Sequence, residues 1–151
     1  MKQTLTTFYL LFSLLLSGSI AVAAEELLIR SSASPESVWP GQKVTVSIDV
    51  LVADGWAQAK NFRDVEIESG YLLRYESQGT RLNESIDGKA YSGQRYELFF
   101  FAHHSGEQTI PELPLDIEVK SWATPAAPGI KRKSTPAIPL SVKALPNTGT
   151  A

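Results

Sequence analysis

RYELFFFAHHSGEQTIP, from Arg95 to Pro111, reads as a strand, a tight turn and a second strand. Side chains alternate across an extended chain, so Tyr96, Leu98 and Phe100 share one face while Arg95, Glu97, Phe99 and Phe101 share the other. The even-numbered face is the expected core face. Ser105-Gly106-Glu107 supplies the turn, with Gly106 able to take a positive φ, and Thr109-Ile110 resumes the extended pattern until Pro111 ends it.

The same period recurs on either side. Val44, Val46, Ile48, Val50 and Val52 alternate with Thr45, Ser47 and Asp49, as in a strand with one face in a core and one in water; Leu51 is the lone apolar residue on the outer side. Asp54-Gly55 marks a turn, Trp56 to Lys60 is ambiguous, and Phe62, Val65 and Ile67 predict another extended stretch, with Asp64, Glu66 and Glu68 on its solvated face. Tyr71, Leu73 and Tyr75 alternate again. Asp87-Gly88, between Ile86 and Tyr91, predicts a type I′ hairpin, because both central residues of that turn need a positive φ. Leu115, Ile117 and Val119 alternate with Asp116, Glu118 and Lys120. Thr124 to Pro136, with three prolines, Gly129 and the run Lys131-Arg132-Lys133, reads as a mobile loop. Ile138, Leu140 and Val142 form the last strand, where Pro139 requires an edge or an outward-facing missing donor. Short strands at this spacing, with no helical period, predict an all-β, antiparallel sandwich of about eight strands.

The opening run, preceded in order by WPGQKVTVSIDV from Trp39, FRDVEI from Phe62 and GTRLNESIDGKAY from Gly79, resembles the modules of BatD, the oxygen tolerance (aerotolerance) protein family. The likeness extends over residues 39 to 143. It implies an immunoglobulin-like sandwich that works in the bacterial envelope by binding protein, in association with MoxR-type ATPases and a von Willebrand A domain partner. BatD proteins are usually longer, with several such modules and a C-terminal membrane helix, whereas this sequence has room for one module.

Lys2, the apolar run FYLLFSLLL from Phe8 and the small residues Ala21-Val22-Ala23 have the three parts of a secretory signal peptide. Serines interrupt the run well short of the roughly 20 apolar residues of a membrane span. The expected organisation is a signal peptide over 1–24, an immunoglobulin-like domain over 25–145 and a short tail over 146–151, in a periplasmic or secreted protein without a membrane span after cleavage. There are no cysteines, hence no disulfide framework. The whole chain carries a formal charge of −2. That balance argues against nucleic acid or anionic lipid as the main partner, since both require a basic footprint.

Nothing in the sequence assembles a nucleophile with a base, so no enzyme activity and no cofactor are expected. His103, His104 and Glu107 are the only cluster resembling a metal site, but adjacent residues of a strand point to opposite faces, and no metal is assigned to them. Leu145-Pro146-Asn147-Thr148-Gly149 matches the LPxTG sorting pattern without the apolar helix that follows it in sortase substrates. The aromatics are more informative. Phe99, Phe101, Trp56 and Trp122 are the candidate partner-binding residues. Phe99 and Phe101 in particular need a cover, either the stretch Thr124 to Pro136 folded back over them or another protein. The alternative reading is a carbohydrate-binding module, which requires two or more tryptophans along one exposed face.

Overall fold

The computed structural model describes residues 26–74, 79–123 and 126–146, so the expected signal peptide, Tyr75 and the last five residues lie outside the described residues. The described chain is all-β. Its strands are β1 (Leu27–Ser34), β2 (Ser37–Val38), β3 (Lys43–Ala53), β4 (Gly55–Phe62), β5 (Gly70–Arg74), β6 (Thr80–Ile86), β7 (Lys89–Ala102), β8 (Gly106–Ile110), β9 (Pro114–Ser121), β10 (Gly129–Ser134) and β11 (Ile138–Val142). Eleven strands replace the expected eight or so, because β2, β4 and β10 form where no clear period announced them. No helix long and apolar enough to cross a membrane occurs among the described residues.

One sheet runs β1-β3-β7, and both β5 and β6 pair with the far side of β7: β6 along Lys89 to Arg95, β5 along Leu98 to Ala102. Against it pack two three-stranded sheets, β10-β9-β4 and β2-β11-β8. All pairings are antiparallel except that of β2 with β11. The core lies between the layers. Val44, Val46, Ile48, Val50 and Val52 are completely buried, as is Phe100, with Tyr96 and Leu98 beside it; Leu115, Ile117, Val119, Ile110, Leu140 and Val142 close the other side. The alternation along β3 and the even face of β7 therefore occur as expected.

Tyr96 shows how a hydroxyl enters this core. The Ala59 N–H donates to its oxygen at 2.8 Å, the hydroxyl donates in turn to the Gln94 side-chain carbonyl, and Phe62 stacks edge-on with ring centroids 5.2 Å apart. Burial raises the phenol's pKa, against the smaller effect of the backbone bond at Ala59. Gly93 permits the close approach that this packing needs: a Cβ there would lie 1.9 Å from the Val50 carbonyl oxygen. At the β6–β7 turn Asp87 and Gly88 have φ of 51° and 77°, with Ile86 opposite Lys89, as the two-residue hairpin demands.

Two expectations are corrected and one open stretch is assigned. The stretch after Phe62 is not a strand: residues 63–69 leave the ladder, and Val65 and Ile67 reach the core from irregular backbone. Arg74 stabilises that departure, donating to the carbonyls of Phe62 and Arg63, the latter at 2.6 Å. Asp64, Glu66 and Glu68 thus share no strand face. Second, the ambiguous Trp56 to Lys60 belongs to β4, with Ala57 in the core and a bulge between Ala59 and Asn61. Third, residues 129–134 of the expected loop Thr124 to Pro136 are β10, paired with β9 from Gly129↔Val119 to Ser134↔Pro114. Pro128 and Pro136 flank the ladder instead of interrupting it. Pro139 keeps to the rule stated for it, since β2 pairs with β11 only at Ser141 and Val142 and leaves Pro139 with an open side among the described residues.

Candidate functional site

The odd-numbered residues of β7 face outward from the first sheet, and register extends that face across four neighbours. At one end Phe101 lies between Lys43 and Tyr71, and Phe99 between Thr45 and Leu73. Phe99 and Phe101 are half-buried; Tyr71 is 57 % exposed and Leu73 40 %. The Lys43 ammonium sits 4.7 Å from the centre of the Phe99 ring, a cation–π contact that also lays the lysine stem over the apolar surface. These side chains form one contiguous patch, with a lysine at its margin.

The middle of the face is charged. Asp49 of β3 is buried and held by both nitrogens of Arg95 that face it, at 2.6 and 2.9 Å, and by Arg30 at 2.8 Å. Arg30 passes the charge on to Glu84 of β6 at 2.6 Å. Burial is the largest single influence on Asp49 and pushes its pKa up. The hydrogen bonds and charges of Arg95 and Arg30 together outweigh it, leaving the carboxyl below its ordinary value.

At the far end Leu51 is completely buried, together with Ala53 and Tyr91, beneath Leu28, Leu82 and Ile86. The lone outer apolar residue of the sequence is thus the centre of a second small core. Its cover comes from β6, whose Leu82, Glu84 and Ile86 are on the same face as Tyr91. In the sheet β1 and β6 are separated by β3 and β7, yet the Arg30 and Glu84 side chains meet, so side chains from both strands close over this part of the outer face.

The four candidate residues are not brought together. Phe99 and Phe101 adjoin the Lys43 end of β3. Trp56 follows its Ala53 end, ten residues or about 33 Å along the strand. Trp56 pairs with Lys120 in the second layer and lies under the Arg81 guanidinium, 4.9 Å from the ring centre; Trp122, 63 % exposed, follows β9 and bonds through its N–H to the Asp54 carbonyl. Instead the structure adds Tyr71 and Leu73 to the phenylalanines. Their alternation was visible in sequence; their placement beside Phe99 and Phe101 was not, since only the long-range register of β5 on β7 supplies it. Residues 129–134 of the stretch Thr124 to Pro136 lie in the other layer as β10, so that segment does not cover Phe99 and Phe101.

The remaining candidates are surface features. His103 and His104 are exposed with ring centres 6.2 Å apart, and Glu107 accepts a hydrogen bond from the Ser141 hydroxyl at 2.9 Å. Among the described residues no group of three or more His, Asp or Glu side chains is placed to hold a metal ion. Asp64 pairs with Arg74 at 3.0 Å in the open. Comparison of the chain with protein-family models, with curated proteins and with solved structures found no match to any of them.

Proposed function

We propose that this chain is a non-catalytic protein-binding module of the bacterial envelope, exported by its N-terminal signal peptide and related in design to the immunoglobulin-like modules of BatD. The observation that carries the reading is the patch of Tyr71, Leu73, Phe99 and Phe101. It places four large side chains in adjacent register on a sheet face that none of the described residues crosses. Aromatic anchors inside a charged rim are the usual energetic centre of a protein interface, and Glu97, Arg95 and Lys43 provide that rim. The BatD resemblance suggests a von Willebrand A domain protein as the partner, with a MoxR-type ATPase in the same system.

The carbohydrate alternative is weaker. Sugar stacking needs free indole faces, and Lys143 lies over Trp39 at 5.5 Å while Arg81 lies over Trp56. The test is direct binding of the mature protein to a von Willebrand A domain from the same envelope. Tyr71→Thr should abolish binding while the unfolding midpoint stays close to that of the unaltered protein, and Phe101→Thr should abolish it in a protein that remains folded. Binding that survives both substitutions rejects the patch as the interface.

A further inference from the structure

We infer that the free edge of β10 is a second interaction site, which accepts an extended acidic peptide segment as an added antiparallel strand. It lies in the other layer from the aromatic patch and does not depend on that reading.

β10 is the terminal strand of its sheet; among the described residues β9 alone pairs with it, so one side of its backbone is left without a ladder. Its sequence is GIKRKS, and it is exposed along nearly its whole length, with Ile130 at 57 %. Arg132, Lys133 and Arg63 gather with Pro114, Leu115 and Ser134 around a shallow depression of about 170 Å³. Asp116 is the carboxylate between the two arginines, 3.2 Å from Arg63 and 3.4 Å from Arg132. Glu118, opposite Ile130, is already engaged by Gln58 at 2.6 Å and Lys60 at 3.3 Å. In a chain whose net charge is −2, this edge is a local excess of positive charge.

Cations on an edge strand keep it from pairing with basic strands, including copies of itself, because like charges directly opposite one another are destabilising. The same geometry favours a strand of opposite charge. In strand addition the main-chain ladder supplies affinity and the facing side chains supply selectivity. Antiparallel addition places successive partner residues opposite Lys133, Arg132, Lys131 and Ile130. The preferred segment is therefore three acidic residues followed by an aliphatic one, the carboxylates meeting the basic run and the aliphatic group covering Ile130.

The experiment uses three labelled hexapeptides, TEEEVT, TKKKVT and TEPEVT, with binding to the full chain followed by fluorescence anisotropy and amide hydrogen exchange. TEEEVT should bind, weaken with added salt and protect amides within 129–134; TKKKVT should not bind. TEPEVT keeps most of the charge but cannot complete the ladder, and should bind about tenfold more weakly or worse, a difference of roughly 1.4 kcal/mol. The exposed double variant Arg132→Gln, Lys133→Gln places no carboxylate opposite Asp116 and should lose TEEEVT to a similar degree with a thermal midpoint close to that of the unaltered protein. Equal binding of TEEEVT and TEPEVT without amide protection overturns the proposal in favour of a simple charge patch. Binding of phosphatidylglycerol vesicles with no binding of TEEEVT overturns it in favour of a lipid surface.

Discussion

The outer face of the first sheet carries apolar side chains at both ends, and the chain treats the two ends differently. Around Leu51 the side chains of Leu28 in β1 and of Leu82 and Ile86 in β6 complete a small second core. Around Phe101 the neighbour is β5, a five-residue strand that lies beside β7 and leaves Tyr71 and Leu73 in contact with solvent. Apolar composition alone does not distinguish the two ends. The difference is whether neighbouring side chains close over the face, and the candidate cover from the sequence has residues 129–134 paired with β9 in the other layer. A surface left open by a fold that closes its opposite end is the stronger candidate for a partner.

The largest effect expected is in the main core, which sets the scale for both ends. Phe100→Ala removes a completely buried ring from between the layers and should cost about 3 to 5 kcal/mol in urea denaturation. Leu51→Ala should follow at about 2 to 3 kcal/mol, at the lower end of the range for buried leucine because the small cluster over it can partly collapse. A near-zero cost for Leu51→Ala breaks the comparison, since the two ends are then equally open.

The charged row between the ends is next. Asp49→Asn leaves Arg30 and Arg95 without their shared carboxylate, and because both arginines are partly solvated the cost should be about 1 to 3 kcal/mol, below that of a fully buried pair. Its pH dependence has a definite sign. The folded-state pKa of Asp49 is depressed, so its contribution is complete above the unfolded value of about 3.9 and is lost as pH falls through the lower folded value. The stability gap between the unaltered protein and Asp49→Asn should stay constant near neutrality and shrink below about pH 4. A gap that is flat down to pH 2 contradicts the assignment.

Local sequence carried the parts of this fold whose signals are local. The valine alternation of β3, the even face of β7 and the Asp87-Gly88 hairpin each depend on neighbours within a few residues, and each was readable. Val65 and Ile67 misled because they have strand spacing but reach the core from backbone that Arg74 ties off. The run from Gly129 to Ser134 misled in the opposite sense: its flanking prolines and basic residues resemble a loop, and only pairing with β9 makes it a strand. For the candidate site, sequence supplied Phe99 and Phe101 and grouped them with tryptophans that belong to another layer. Tyr71 and Leu73 join them through a register set far along the chain, and no local period encodes that.

The smallest expected effect is the most discriminating. Tyr71 is more than half exposed, and its strand has β7 on one side only among the described residues. Serine there would weaken the strand itself, so threonine, which retains β-branching and strand preference, is the better replacement. If the Phe101 end is open, Tyr71→Thr removes little that is buried and should change stability by no more than about 0.5 kcal/mol, the range of an ordinary surface substitution. A loss comparable to that of Leu51→Ala would mean that Tyr71 seals Phe101 as Leu82 and Ile86 seal Leu51. The patch would then be a third small core, and the argument for a partner on this face would fall with the contrast between its two ends.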